Sequence, residues 1–146
     1  AEWALKWLYD DPRISVVLSG MSAMEHVTEN MRISATAGAG SMTAKEREVM
    51  NQVQTIFRQR MKVPCTTCGY CMPCPAGVEI PKNFSMYNSF HMMGEKSNDS
   101  IRFMYFAQVA ESARAAKCVK CGRCETHCPQ QIPIMRELEN VAATFK

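Results

Sequence analysis

All eight cysteines of this 146-residue chain fall in two short runs. The first is Cys65-Thr-Thr-Cys68-Gly-Tyr-Cys71-Met-Pro-Cys74-Pro75, and the second is Cys118-Val-Lys-Cys121-Gly-Arg-Cys124-Glu-Thr-His-Cys128-Pro129. Each has three cysteines at two-residue intervals and a fourth backed by proline. The second has the C-x2-C-x2-C-x3-C-P spacing that wraps a four-iron cluster. The first is one residue shorter between its third and fourth cysteines. Thiolates so arranged would support one-electron transfer through inorganic iron and sulfide, a chemistry that side chains cannot do alone.

Two other uses of dense cysteines compete with this one. A disulfide framework belongs to small secreted domains, and no stretch here combines the basic start, apolar core and cleavage site of a secretion signal. Cysteines two residues apart also fit poorly the Cβ geometry that a disulfide requires. A zinc site uses two C-x2-C pairs and has no need of a third cysteine at the same interval. A cubane does have that need: three neighbouring thiolates reach three irons, and a distant one takes the fourth. The expectation is two [4Fe–4S] clusters, with Cys65, Cys68, Cys71, Cys74, Cys118, Cys121, Cys124 and Cys128 as metal ligands.

Residues around the runs fit that expectation. Pro75 and Pro129 fix φ and turn the chain away from the metal. Gly69 and Gly122 occupy the same place in each run, where backbone must approach closely. Lys62, Lys117, Lys120 and Arg123 flank the thiols and would favour thiolate, or else form a solvated face. His127 reads as a neighbour of the site and not a ligand, because the cysteines already complete two sites. His91-Met92-Met93 ends a helical stripe and reads as packing, in keeping with twelve methionines in all.

The length suits one domain of ordinary size. A net charge of +3 with interspersed signs leaves no nucleic-acid footprint, and no apolar stretch is long enough to span a membrane. Metal-holding cysteines imply a reducing, cytoplasmic setting.

The elements that must position the thiols can be read from periodicity. Residues 35–42 of the segment Ser34-Ala-Thr-Ala-Gly-Ala-Gly-Ser-Met42 form a linker between residues 1–34 and 43–146. Before it come a helix over Glu2–Leu8 and a stop at Asp11-Pro12. An apolar strand, Ile14–Leu18, then ends at Gly20, and Ser22–Glu25 is a capping box opening a helix to about Met31. After it, Thr43–Glu46 caps a helix carrying Val49, Met50, Val53, Ile56, Phe57 and Met61. Between the runs the spacing predicts a helix from Pro81 with Phe84, Tyr87 and Phe90. A polar turn over 94–100 follows, then a helix over Ile101–Ala116. A last helix starts at Pro133 with Ile134, Leu138, Val141 and Phe145. Ile80-Pro81 and Ile132-Pro133 repeat after the two runs, which makes the unit helix, cysteine loop, Cys-Pro, Ile-Pro, helix. Such ligand loops build little core of their own, so the apo protein is expected to be loose.

Residues 43–146, through the Cys118–Pro129 run and its helical flanks, resemble the α-helical ferredoxin domain of fumarate reductase and succinate dehydrogenase iron–sulfur subunits. In two-cluster ferredoxins the fourth cysteine of a run ligates the other cluster. That resemblance assigns Cys65, Cys68, Cys71 and Cys128 to one cluster, and Cys118, Cys121, Cys124 and Cys74 to the other. Trp7-Leu8, Val16–Ser22 and Glu25–Asn30 resemble the last strand and following helix of an aldo/keto reductase barrel, and Cys68–Pro75 resembles the iron–sulfur branch of that family.

The implied fold is mainly α: an α-helical ferredoxin-like domain preceded by a short αβα remnant of a (β/α)8 barrel. The resemblance also implies NAD(P)H as cofactor of the remaining barrel, with Ser19, Gly20, Met21 and Ser22 at the phosphate site and Glu29 and Asn30 at the adenine. Gly20 and His26 stand where NADPH-preferring members have lysine and arginine, which leaves NAD against NADP open. None of the family's catalytic residues is matched; Tyr9 and Tyr70 lack their setting. The chain thus looks like the C-terminal part of a larger oxidoreductase, not catalytic alone. Its expected partners are the rest of the barrel, an electron carrier, and a second copy of the chain through the Ile14–Leu18 strand; nucleic acid and membrane are not among them. Residues 1–34 are expected to be disordered, paired between copies or docked on the barrel. The competing readings are a metal-stapled docking domain, with zinc or a redox-silent cluster, and a reductase tail with vestigial clusters.

Overall fold

The computed structural model describes residues 1–146. Its regular elements are all helical, with no β-strand. Six α-helices follow in order: α1 (Glu2–Asp10), α2 (Met24–Thr36), α3 (Ala44–Arg60), α4 (Ile80–Met93), α5 (Asn98–Gln108) and α6 (Ile134–Thr144). Short 3-10 turns stand at Glu95–Ser97, Glu111–Ala113, Ala115–Lys117 and Glu125–His127. The chain divides into two compact units, Ala1–Ile56 and Phe57–Lys146, and α3 runs across the division. No helix is long and apolar enough to cross a membrane.

In the first unit, α1 and α2 bury only Leu5 and Ile33. Polar ties do much of the rest. Asp10 accepts from the Met42 amide (2.8 Å) and from Arg47 Nε (2.8 Å), and its carbonyl accepts from the Gly40 amide (3.1 Å). Those ties bury Met42 and draw the expected linker 35–42 into the unit, whose division from the next falls at residues 56 and 57. α2 also overruns the linker's start, continuing to Thr36.

Two expectations fail in this unit. Ile14–Leu18 is extended but pairs with nothing, and Val16 and Leu18 are 74% and 92% exposed. A strand needs a partner for its amides and carbonyls, and this chain supplies none, so the αβα arrangement does not form. The Ser22–Glu25 capping box is also absent: α2 has Ala23 at its N-cap and no side-chain cap. Starting one residue later puts Glu25 at the second helical position, where the reciprocal pair cannot close. The Thr43–Glu46 box does close. The Thr43 amide donates to Glu46 Oε2 (2.8 Å), and the Glu46 amide donates to Thr43 Oγ1 (3.2 Å).

The second unit holds the core. Sixteen buried apolar side chains form one cluster, led by Val63, Val78, Ile80, Phe84, Tyr105 and Leu138. α4 and α6 supply its middle: Ile80, Phe84, Met86 and Tyr87 from one, Ile134, Leu138 and Val141 from the other. Proline opens α4 near its N-terminus, where its missing N–H costs nothing. Phe145, just past α6, stacks on Tyr105 with ring centroids 4.0 Å apart.

The helix expected to run from Ile101 to Ala116 stops at Gln108. Arg114 turns back to cap it, donating from Nε to Val109 O (3.1 Å) and from Nη2 to Phe106 O (3.1 Å). Two 3-10 turns carry the chain on to Cys118. The polar turn before α5 is shorter than expected, because a 3-10 turn at Glu95–Ser97 leads straight into the helix at Asn98.

Candidate metal centre

The two cysteine runs share one backbone plan. Thr67 and Lys120, each two residues after the first cysteine, both have φ 56°. Gly69 and Gly122, two residues further, have φ 78° and 75°. Left-handed backbone is ordinary for glycine but rare for a β-branched residue such as Thr67. Its recurrence at matching positions marks a loop shape required twice. The consequence at Thr67 is visible: its amide donates to Cys65 Sγ at 3.4 Å. Hydrogen bonds repeat as well. Gly69 O accepts from the Met72 amide (2.9 Å) and Gly122 O from the Glu125 amide (3.0 Å). Cys74 O accepts from Gly77 (2.9 Å) and Cys128 O from Gln131 (3.1 Å). The extra residue of the second run is absorbed in the 3-10 turn Glu125–His127, where the Cys128 amide donates to Glu125 O (3.3 Å).

All eight cysteines are free thiols. Cys65, Cys68 and Cys71 line one recess, and Cys128 from the other run lines it with them. The walls of the recess include Ile80, Phe84, Ile132 and Ile134. Burial pushes the Cys71 thiol up, and charge on Cys65, Cys68 or Cys128 would push it further. In the second run, burial raises the Cys124 thiol to about 11, with Glu125, Cys118 and Cys121 adding to it. Neighbouring thiolates oppose one another's ionisation, and a bound cation reverses that sign. A multiply charged metal core bound by these thiols would therefore favour their ionised form.

On the other side, the contacts are between backbone segments. The segment after Cys74 lies beside the segment that leads into Cys118. The Glu79 amide donates to Ala113 O (3.0 Å), and a Cβ on Gly77 would stand 3.9 Å from Ser112 O. Ala76 shares a surface hollow with Lys117 and Val119. Cys71 and Cys124, the third cysteines of the two runs, line one further cleft together with Tyr70, Arg123 and His127.

Flanking residues sort by what they touch. Lys120 pairs with Glu139, and Lys117 approaches Glu111 at 3.6 Å. Lys62 Nζ donates to Gln59 O (3.0 Å). These cations are engaged by local partners. His127 lies with Nδ1 2.9 Å from Arg123 O, on the surface. His91 packs edge-on against Tyr87 (4.7 Å) and Phe90 (5.4 Å), while Met93 at the end of that trio is exposed. Of the six nucleotide-site residues, Ser19 and Asn30 meet, with Asn30 Nδ2 donating to Ser19 Oγ at 3.0 Å. Gly20, Met21, Ser22 and Glu29 are exposed.

Three residues escaped the sequence reading. Glu125 accepts from the Met135 amide (2.9 Å) and so ties the second run to the first turn of α6. Asn83 and Asn88 grip backbone next to the runs. Asparagine competes poorly inside a helix, so two of them on the apolar stripe of α4 were the available signal.

Residues 64–132 match the family model described as a 4Fe-4S dicluster domain. Nothing among curated proteins or solved structures matches the chain. The family match and the eight free thiols support an iron–sulfur, ferredoxin-like domain with an electron-transfer role.

Proposed function

We propose that the Phe57–Lys146 unit is an electron relay built on two [4Fe–4S] clusters, held crosswise. Cys65, Cys68, Cys71 and Cys128 would ligate one, and Cys118, Cys121, Cys124 and Cys74 the other. The observation that carries this reading is Cys128 lining the recess of the other run's three cysteines. When bound, such clusters accept and release single electrons. The chain's own part is to orient the thiolates, to offer amides such as Thr67 N–H to sulfur, and to exclude water with Ile80, Phe84, Ile132 and Ile134. Burial and N–H···S bonds are the levers by which a protein sets cluster potential.

The wider reading rests on the sequence resemblance alone. The relay would serve an aldo/keto reductase-like oxidoreductase, carrying electrons between an outside carrier and a nicotinamide site on the rest of the barrel. Ser19, Gly20, Met21, Ser22, Glu29 and Asn30 would contribute to that nucleotide site. The Ser19–Asn30 hydrogen bond links the two halves of the set. The exposed Val16 and Leu18 are what a strand awaiting a partner would present.

The test is an iron and acid-labile sulfide count on anaerobically reconstituted protein, with electron paramagnetic resonance of the reduced form. Two interacting cluster signals are expected, together with loss of both in a Cys71→Ser, Cys124→Ser double variant. A colourless protein holding only zinc defeats the relay. Nucleotide binding is tested separately, by NADH and NADPH titration of a protein that carries the barrel, with Glu29→Ala and Asn30→Ala as controls.

A further inference from the structure

Helix α4 carries two asparagines five residues apart, and each grips the peptide that leads into one cysteine run. Asn88 Oδ1 accepts from the amides of Lys62 and Val63, both at 3.0 Å, and its Nδ2 donates to Val63 O at 2.7 Å. Val63 O accepts in turn from the Cys65 amide at 2.8 Å. Asn83 is wholly buried. Its Oδ1 accepts from the Ala115 amide and the Tyr105 hydroxyl, each at 2.8 Å, and its Nδ2 donates to Glu79 O and Ala113 O, each at 2.9 Å. Ala115 O then accepts from the Cys118 amide at 3.1 Å. Both routes run from an α4 side chain, through one peptide, to the first cysteine of a run.

We infer that Asn83 and Asn88 are paired positioning residues: each latches the approach to one cysteine triplet onto the shared helix α4, Asn88 for Cys65 and Asn83 for Cys118. The inference deepens the cluster reading and rests on it for its redox readout.

The chemistry favours asparagine at both places. Each site presents backbone donors and carbonyl acceptors together, and only a carboxamide offers both functions without charge. A carboxylate at Asn83 would face two carbonyls, and an apolar side chain would strand buried polar groups. Tyr105 strengthens the buried latch by spending its own hydroxyl on Asn83 Oδ1, and it lies within 3.4 Å of the Ala115 amide as well. Asn83 also spans both runs. The carbonyls it holds belong to the turn before Cys118 and to the segment after Cys74, the two pieces that the crosswise assignment needs side by side.

The experiment compares Asn88→Ala and Asn83→Ala by amide hydrogen exchange and by potentiometric resonance titration of the reconstituted protein. Signals are assigned to each triplet with Cys68→Ser and Cys121→Ser. Asn88→Ala is expected to raise exchange at residues 62–65 about tenfold, the size of one net hydrogen bond. It should shift or remove only the signal of the Cys65 triplet. Asn83→Ala should do the same at residues 115–118 and for the other triplet. Asn88→Asp, which keeps the acceptor but sets a carboxylate against Val63 O, should recover only part of the lost protection. Equal effects on both clusters in each variant, or none in either, overturn the inference. Should Asn83→Ala fail to fold, Tyr105→Phe takes its place: a change confined to the Cys118 signal supports the latch, and an unchanged signal overturns it. Protein that holds zinc and no iron would sink the cluster reading, while exchange at residues 62–65 and 115–118 would still decide the latches.

Discussion

The two units of the chain are stabilised by different physics. Phe57–Lys146 has sixteen apolar side chains in one buried cluster, and six of its eight cysteines are half-buried against it. Ala1–Ile56 buries only Leu5, Ile33 and Met42. Its most connected polar feature is an ion and amide network centred on Asp10. Charge divides in the same way: twelve lysines and arginines against seven acidic residues from position 57 onward, five against seven before it. The excess of positive charge lies with the thiols, where anionic clusters would partly offset it. Backbone ordering costs free energy at every residue, and three buried side chains offset far less of it than sixteen do. In the second unit the cysteine loops pack on the core, so bound metal is expected to couple to folding there and not in the first unit.

Removing the metal is the largest way to sharpen that contrast. Chelation of anaerobically loaded protein should abolish protection of α4, α5 and α6 against hydrogen exchange, because the ligand loops cannot hold their geometry as bare thiols. The burial that raises Cys71 and Cys124 favours their neutral form once the metal has gone. Chelation that left the α4–α6 amides fully protected would show that the core stands without the clusters.

Truncation of one side chain in each unit comes next. Phe84 is wholly buried between the recess and the core, and Phe84→Ala should cost about 3–5 kcal/mol. Leu5 is the only buried residue of α1, and Leu5→Ala should cost about 2 kcal/mol, at the low end for its type, because so little surrounds it. Urea unfolding followed by a probe in each unit would check both. Equal losses would erase the distinction.

Much of the second unit was legible in the sequence, and little of the first. Cysteine spacing, Ile-Pro helix starts and the Ile134, Leu138, Val141 stripe depend on local chemistry that a sequence displays. The Thr43–Glu46 box closed for the same reason. Ile14–Leu18 has strand composition, but a strand is a relation between two segments, and no segment of this chain pairs with it. The early stop of α5 was hidden because its cause, Arg114 turning back to Val109 and Phe106 with Asn83 holding Ala115, is tertiary. The α3 stripe of Val49, Val53, Ile56, Phe57 and Met61 has the period of a buried face, yet all five are more than one-third exposed. Periodicity reports what a helix can bury, not what it does bury.

Acid should act on the first unit through Asp10. The Arg47 guanidinium, then the Met42 amide, hold its carboxyl below the usual carboxylate range. A folded pKa lowered in this way contributes stability that is present above the unfolded value of about 4 and is lost as pH falls through the folded value. Asp10→Asn should remove that part of the pH dependence. The exposure of the pair keeps the effect modest. Its measurement is the acid limb of the unfolding curve, followed at α1.

The smallest effect separates the two runs from each other. Thr67 and Lys120 share a left-handed φ of 56°, but Thr67 is β-branched and Lys120 is paired with Glu139. Left-handed backbone costs a non-glycine residue about 1–2 kcal/mol, and glycine gives back roughly 0.5–1 kcal/mol through a freer unfolded chain. Thr67→Gly should therefore stabilise by about 0.5 kcal/mol while keeping the amide that donates to Cys65 Sγ. Thr67→Gly forfeits only an exposed hydroxyl bond to the adjacent Thr66 O, whereas Lys120→Gly forfeits its ion pair and starts from an unbranched side chain, so it should gain less. The difference would be read as a shift in urea midpoint between the two variants. A larger gain at Lys120 would mean that the β-branch is not what strains the first loop.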